Sequence, residues 1–225
     1  MCIRDSRVAA GVFMVYGTSY HALVQRANIG KNDEVLVLGA AGGVGLAAVD
    51  IAKSFGARVV AAVSTKEKAD ICLSYGVDDV VIYGDKRLDK EGQKNFTKNL
   101  KSKTVNGGYS IIYDPIGDRY AEPALRSIRW GGTYLVVGFA AGKIPFFPTN
   151  LMLLKGCAVS GVFIGRFQKE EPKRSSQNLL EIGQLLANGK LTPLISETVP
   201  MQDCIPAIER IAKRGVVGKV VFVND

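Results

Sequence analysis

Residues 40–45 (AAGGVG) form the segment of this chain best suited to hold a ligand through its backbone. They follow the segment 34–39 (EVLVLG), which is typical of a short buried strand that ends in glycine, and they lead into small and apolar residues at helical spacing. Gly42 would let the backbone approach a pyrophosphate, and Gly45 would let the helix pack close to the strand. The free N–H groups at the start of the helix would bind the phosphates. The pattern predicts a dinucleotide-binding turn in which Ala40 replaces the first glycine of G-x-G-x-x-G, so that one turn glycine is lost.

The end of the second predicted strand, 58–63, is where such domains select their cofactor. NAD-binding versions place an acidic residue there to bind the ribose hydroxyls. Here the segment 64–68 (STKEK) offers two hydroxyls and two lysines, which suit a 2′-phosphate. Glu67 lies one residue into the next helix, where it would instead stabilise the helix N-terminus. Either lysine alone would be interpreted as an exposed helix residue, but together with the missing acid they favour NADP.

Strand-like and helix-like segments alternate along the chain, and this alternation predicts how the turn is positioned. The predicted strands are 34–39, 58–63, 79–83, 109–114, 133–138 and 157–163. The predicted helices are 43–55, 65–75, 86–102, 118–129, 149–155 and 173–188. Gly131 and Gly132 are predicted to turn the chain into the fifth strand. The pattern predicts an α/β fold, a Rossmann doubly wound six-stranded parallel sheet with strand order 3-2-1-4-5-6.

The segment 190–225 differs in kind, because it follows after this sheet is complete. It contains a predicted strand at 194–199, a helix at about 203–213 and a strand at 218–223. This strand–helix–strand piece needs another surface to pack against.

The composition is ordinary for a soluble globular protein and favours none of the more specialised classes. The chain has 225 residues, a formal net charge of +8 at pH 7 and 47% hydrophobic residues. Its basic residues are spread over helices and loops without interleaved aromatics, so a solvated surface is expected and no nucleic-acid partner. No apolar run is long enough to span a bilayer, so no membrane partner is expected. The four cysteines are scattered, which favours a reduced, cytoplasmic setting.

Two polar residues admit both a structural and a functional interpretation. His21 is the only histidine, and beside an apolar helix a single histidine is more often structural than catalytic. Asp114 ends the fourth strand at the carboxyl edge of the sheet, where ligands bind. A role for Asp114 in stabilising the following turn is equally consistent with its type.

Several segments of the chain together resemble one known family. They are GTSYHAL at 17–23, EVLVLGAAGGVGLAAVDIAK at 34–53, YDPIG at 113–117, WGGTYLVVGFAAGKIP at 130–145 and GKVVFV at 218–223. From about residue 8 onward the chain is similar to the zinc-independent NADPH:quinone oxidoreductases (zeta-crystallin-like) of the medium-chain dehydrogenase/reductase superfamily. Where zinc-dependent relatives carry a metal-binding cysteine, this chain has FMVY at 13–16, which agrees with a metal-free site.

The resemblance implies NADP (NADPH) as the cofactor and hydride transfer to a quinone or an activated alkene (enone). It implies that Ser64, Lys68 and Tyr83 bind the 2′-phosphate, and it assigns no catalytic residue. The other residues that it places around the cofactor are Thr18, Ala41, Gly42, Gly43, Val44, Asp114, Gly138, Phe139, Val162, Phe163 and Lys219. It also implies a homodimer in which the sixth strands of two subunits pair.

The resemblance further implies that this chain is an N-terminally truncated member, because the family begins with a catalytic, GroES-like domain that is missing here. The expected divisions are 1–6 as a sequencing or translation artefact, 7–33 as a remnant linking the missing domain, 34–189 as the NADP-binding Rossmann domain, and 190–225 as the C-terminal remnant of the catalytic (GroES-like) domain. Activity is accordingly expected of the full-length parent.

Two other functions fit the same residues. An enoyl-thioester or acryloyl-CoA reductase of the same superfamily would differ from a quinone reductase in the missing domain. A non-catalytic nucleotide-binding module would use the same fold without transferring hydride, since fold alone does not fix function.

Overall fold

Six parallel strands form one sheet in the part of the chain that this computed structural model describes, residues 5–84, 88–213 and 216–224. The strands are Glu34–Leu38 (β1), Arg58–Val63 (β2), Asp79–Ile82 (β3), Tyr109–Asp114 (β4), Ile128–Val136 (β5) and Ala158–Gly161 (β6). Their spatial order is β3-β2-β1-β4-β5-β6, which is the predicted order. The α/β fold with a doubly wound sheet is therefore confirmed.

The central strands are buried on both faces. β1 and β4 are buried along their whole length, as expected for parallel strands with helices above and below them. Alternate residues of β1 enter different cores: Val35 and Val37 pack in one, and Leu36 and Leu38 in the other. The continuous apolar run 35–38 thus reflects two-sided burial, and the end of β1 lies inside the buried centre of the sheet.

The described residues form nine α-helices, several of which cover the two faces of the sheet. They are Ser6–Tyr20 (α1), Gly43–Ser54 (α2), Lys66–Ser74 (α3), Lys90–Ser102 (α4), Ala121–Leu125 (α5), Thr149–Lys155 (α6), Ile164–Glu170 (α7), Pro172–Ala187 (α8) and Cys204–Ala212 (α9). The predictions for α2, α3, α6 and α8 are confirmed to within one residue, whereas α1 and α7 were not predicted. The helix predicted over 86–102 is confirmed from Lys90 onward; residues 85–87 lie outside the described residues. No helix in the described ranges is long and apolar enough to cross a membrane.

The helix predicted over 118–129 is confirmed only as far as Leu125, because the chain enters the fifth strand earlier than predicted. Only a 3₁₀ turn and the short α5 form there, and β5 already begins at Ile128, which is buried and pairs with Tyr109. Gly131 and Gly132 lie inside β5, where the register with β4 shifts, and not in a turn before it. Gly131 has φ +73°, a left-handed conformation that allows this irregularity.

The C-terminal segment 191–224, hereafter the tail, contains β7 (Ile195–Pro200), α9 and β8 (Lys219–Val223), as the sequence predicts. β7 and β8 pair in parallel. The tail packs closely against α1, since a Cβ on Gly11 would lie 2.6 Å from Ile195 Cδ1. Helix α1 therefore provides part of the surface that the tail needs.

The interpretation of residues 1–6 as an artefact stays a prediction, as do the other domain boundaries. Residues 1–4 lie outside the described residues. Asp5 caps helix α1, because its Oδ1 accepts a hydrogen bond from the Arg7 backbone N–H at 2.9 Å. Ser6 is the first helical residue.

Candidate functional site

The turn of residues 39–42, here called the β1–α2 turn, bends at a glycine that the motif did not count. Gly39 has φ +59°, and the Gly42 backbone N–H donates to the Gly39 carbonyl oxygen at 3.0 Å. Ala40 is fully buried. The prediction that Ala40 costs the turn a glycine is therefore wrong, because Gly39 supplies the left-handed residue one position earlier.

Helix α2 begins immediately after this turn and lies unusually close to it. A Cβ on Gly45 would fall 2.4 Å from the Gly39 carbonyl oxygen and 2.8 Å from Ala40 Cα. The prediction that Gly45 allows the helix to pack close to the strand is thus confirmed. Gly42 is the N-cap residue and has no side chain to cap the helix. The N–H groups of the first turn, including Gly43 and Val44, are the donors that a phosphate would bind.

Ser64, Lys68 and Tyr83 come together at one place beside the turn. All three line two cavities of about 830 and 220 Å³, and the smaller one is also lined by Ala41 and Gly42. Lys68 Nζ donates to Ser64 Oγ at 3.2 Å. Ser64, Lys68 and Tyr83 are hereafter called the Ser64–Lys68–Tyr83 cluster. This cluster, which the sequence assigned to a 2′-phosphate, therefore lies next to the residues that the sequence assigned to a pyrophosphate.

The larger cavity continues from this cluster into an apolar slot. Tyr83 and Tyr120 have ring centroids 4.7 Å apart, and Ile116 lies on the same lining. A flat apolar slot beside a cationic group suits a purine base next to its phosphate. The tail contributes Ile211 and Val217 to this lining, which sequence reasoning missed. The sequence predicted a helix at about 203–213, which is α9, but a local pattern does not say against which surface a helix packs.

Glu67 also lines the larger cavity, and its bonding decides how it should be interpreted. It lies in the first turn of α3, where Thr65 is the N-cap and accepts from the Lys68 backbone N–H. Hydrogen bonds from its own backbone N–H and from Thr65 lower the pKa of the Glu67 carboxyl. These contacts fit the interpretation of Glu67 as a helix N-terminal charge.

Both carboxylate oxygens of Asp114 accept hydrogen bonds from neighbouring residues of the chain. Its Oδ1 accepts from the backbone N–H groups of Ile116 and Gly117, both at 2.8 Å. Its Oδ2 accepts from the Tyr134 hydroxyl at 2.6 Å. Burial raises the pKa of the Asp114 carboxyl, and the three hydrogen bonds oppose that shift. These contacts support the turn-stabilising alternative for Asp114.

Asp114 also holds the neighbouring loop, which contains Gly138 and Phe139. Its carbonyl oxygen accepts from the backbone N–H groups of Val137 at 2.9 Å and Gly138 at 3.3 Å. A Cβ on Gly138 would lie 3.2 Å from the Pro115 carbonyl oxygen. Phe139 is partly exposed beside this loop. Both loops at the carboxyl edge of β4 and β5 are therefore fixed through one residue.

The remaining residues implied by the resemblance lie apart from the Ser64–Lys68–Tyr83 cluster. Lys219 covers the start of α2, since a Cβ on Gly43 would fall 2.7 Å from its Cδ. Thr18 is buried, and its hydroxyl donates to the Met14 carbonyl oxygen at 2.7 Å. Val162 is buried, and Phe163 is exposed. Thr18, Val162 and Phe163 are absent from the described linings of the two cavities.

The contacts of His21 are those of a structural residue. Its ring stacks on Phe167, with centroids 3.9 Å apart. Its Nδ1 hydrogen-bonds to Gln25 Oε1 at 2.7 Å. Burial lowers the pKa of His21, although the Gln25 contact opposes the shift.

Acidification from pH 7 to 5.5 is therefore expected to destabilise the wild-type chain more than a His21→Gln variant. Because the folded pKa of His21 lies below the unfolded value of about 6.5, the unfolded chain binds the proton first. The contribution of neutral His21 is fully present above pH 6.5 and is lost as the pH falls through the folded pKa. Urea unfolding at several pH values should show the advantage of the wild type shrinking by up to about 1.4 kcal/mol per pH unit. An advantage that does not change with pH would contradict this.

Comparison with known families decides where this arrangement belongs. Residues 43–181, from the start of α2 into α8, match the family described as zinc-binding dehydrogenase. The chain belongs to this family. The relatives that the chain matches include proteins named quinone oxidoreductase-like protein 2.

Individual relatives agree with this placement. The chain is 34% identical over 216 residues to the quinone oxidoreductase-like protein 2 homolog of Nematostella vectensis, covering 95% of this chain and 57% of that protein. It is 30% identical over 211 residues to acryloyl-coenzyme A reductase of Metallosphaera sedula, covering 93% and 56%. The chain thus spans less than two thirds of these relatives. A mycobacterial protein solved in complex with NADPH superposes with a TM-score of 0.87 at 25% identity, covering 97% of this chain and 65% of that one.

Proposed function

We propose that the whole protein transfers hydride from NADPH to a quinone or an activated alkene, without a metal ion. The observation that carries the proposal is the Ser64–Lys68–Tyr83 cluster on a cavity beside the β1–α2 turn. Two hydroxyls and an ammonium group supply the donors that a 2′-phosphate needs. A protein with a similar fold is described as a complex with NADPH.

In this proposal the chain has separate groups for three parts of the cofactor: the pyrophosphate, the 2′-phosphate and the adenine. The N–H groups at the start of α2 bind the pyrophosphate, and the Ser64–Lys68–Tyr83 cluster binds the 2′-phosphate. The slot that includes Ile116 and Tyr120 holds the adenine. When bound, NADPH supplies the hydride, whereas the chain supplies binding and orientation.

The metal-free part of the proposal rests on the residues around Thr18. The preceding segment 13–16 (FMVY) has no thiol, imidazole or carboxylate, the groups that usually bind Zn²⁺ in proteins. The nearby His21 stacks on Phe167 and hydrogen-bonds to Gln25. Hydride transfer would accordingly depend on orientation of the cofactor and acceptor.

Reduction of an enoyl thioester is the second candidate activity. It is favoured by the similarity to a protein named acryloyl-coenzyme A reductase. The chemistry is related, because an acryloyl thioester is also an activated alkene. The two candidates share the cofactor site and differ in the acceptor.

Turnover by the full-length protein tests this proposal. NADPH absorbance should fall after addition of 1,4-benzoquinone, and NADH should be consumed much more slowly. Faster consumption with acryloyl-CoA would favour the second candidate. Tight NADPH binding without reduction of either acceptor would contradict an enzymatic role and favour a nucleotide-binding module.

We also propose that the whole protein is a cytoplasmic homodimer that pairs through β6. This strand forms one edge of the sheet, and its terminal residues Ala158 and Gly161 are exposed. An exposed edge strand presents backbone groups that a second copy can pair with. Cys72, Cys157 and Cys204 are free thiols, which suits a reducing compartment.

A further inference from the structure

Asp50 is a carboxyl group in an otherwise apolar part of helix α2. It is only 7% exposed, and the neighbouring Val49 and Ile51 are fully buried. Its Oδ2 accepts from the Tyr16 hydroxyl at 2.7 Å and from the Thr192 backbone N–H at 2.6 Å. A buried carboxylate is costly unless it is hydrogen-bonded. Its partners therefore indicate what Asp50 does, and one of them is the backbone of the tail.

Thr192, the tail residue that binds Asp50, also forms a hydrogen bond with helix α3. The Tyr75 hydroxyl, on the residue that ends α3, donates to the Thr192 carbonyl oxygen at 2.6 Å. The backbone N–H and the carbonyl oxygen of Thr192 are thus hydrogen-bonded to Asp50 of α2 and to Tyr75 at the end of α3, respectively. This fixes the place where the tail starts.

The far end of the tail returns to the β1–α2 turn. The Gly218 backbone N–H donates to the Ala41 carbonyl oxygen at 3.1 Å, and Gly42 and Gly218 form a parallel bridge. The Lys219 backbone N–H donates to the Leu194 carbonyl oxygen at 3.1 Å. Because Leu194 lies two residues after Thr192, these bonds connect Asp50 back to the turn that precedes its own helix.

We propose that Asp50 is a positioning residue that anchors the tail against the β1–α2 turn, so that tail docking and NADPH binding strengthen each other. The coupling part rests on the proposed function. Docking of the tail and binding of a pyrophosphate both order the same residues, Ala41 and Gly42. Whichever occurs first lowers the conformational entropy cost of the other, and such coupling is reciprocal.

The test compares Asp50→Ala with Asp50→Asn, because Asn keeps an oxygen that can accept from Thr192. Asp70→Ala, at an exposed position of α3, is the matched surface control. Amide hydrogen exchange of residues 216–224 and the Kd for NADPH are measured on each chain. Asp50→Ala should speed exchange in this segment and weaken NADPH binding, each by about fivefold to tenfold. Asp50→Asn and Asp70→Ala should stay within about twofold of the wild type for both readouts. Saturating NADPH should slow exchange of this segment in the wild type and also in Asp50→Ala, because the coupling acts in both directions through Ala41 and Gly42.

Tyr75→Phe keeps the inference testable if Asp50→Ala does not fold. It removes one hydroxyl outside the core, and it should change both readouts in the same direction by about threefold. The proposal is overturned if a folded Asp50→Ala chain matches the wild type in both readouts, or if Asn is as damaging as Ala. A wild-type chain that binds no NADPH would contradict the proposed function and the coupling. The exchange difference between the Ala and Asn variants would then still decide whether Asp50 anchors the tail.

Discussion

Replacing Gly45 with alanine is expected to lower the free energy of unfolding by about 3 kcal/mol. The new Cβ would lie 2.4 Å from the Gly39 carbonyl oxygen and 2.8 Å from Ala40 Cα. Both are backbone atoms at the end of a fully buried strand, so they have no rotamer through which to escape. Helix α2 would have to move away from β1, and the β1–α2 turn would be displaced with it. Urea unfolding of the purified chain measures this loss.

Gly17→Ala provides the matched control. Gly17 is also a buried helical glycine, but a Cβ there meets nothing within 4 Å. Because alanine favours a helix over glycine by about 1 kcal/mol, this variant should be as stable as the wild type or slightly more stable. A Gly45→Ala chain that loses less than about 1 kcal/mol would show that the helix adapts, and the close packing of α2 would not depend on this glycine.

The strands most central to the sheet were predictable from sequence because they are buried on both faces. The segments 58–63 and 109–114 coincide with β2 and β4, because a short stretch of mostly apolar residues between polar segments is a clear sequence pattern for a buried strand. β5 was harder, because Gly131 and Gly132 normally mark a turn, and here they lie within a strand whose register shifts. Pairing with a neighbouring strand decided the structure there, and pairing is not visible in a local pattern.

For the candidate cofactor site, the sequence named residues that the fold brings together, but it did not predict the full geometry of the site. Ser64, Lys68 and Tyr83 were named from a resemblance, and the topology brings them together because β2 and β3 are neighbours. The roles of Gly39 and Asp50 were missed. Gly39 stands outside the six-residue motif, and the partner of Asp50 lies 142 residues away in the chain. A hydrogen bond between residues this far apart in sequence cannot be predicted from a local pattern, because it forms only when the tail packs against α2.

Replacing Lys68 with alanine is expected to weaken NADPH binding by about 10-fold to 100-fold and NADH binding by less than about twofold. Lys68 Nζ lies 3.2 Å from Ser64 Oγ on a cavity that adjoins the β1–α2 turn. An ammonium group that binds a 2′-phosphate makes a charge-assisted hydrogen bond worth about 1.5–3 kcal/mol, and NADH lacks that phosphate. Titration of each nucleotide followed by fluorescence measures both dissociation constants.

Lys66→Ala separates this specific contact from a general loss of positive charge. Lys66 begins the same helix and is exposed, and it is absent from the described linings of both cavities. Loss of this one surface charge should weaken the binding of both nucleotides only slightly, and that of NADPH somewhat more than that of NADH, because the 2′-phosphate adds negative charge. Equal losses of NADPH and NADH affinity in Lys68→Ala would contradict the 2′-phosphate role. If only Lys68→Ala loses affinity for NADPH while keeping its affinity for NADH, then the preference for NADPH is determined at the end of β2.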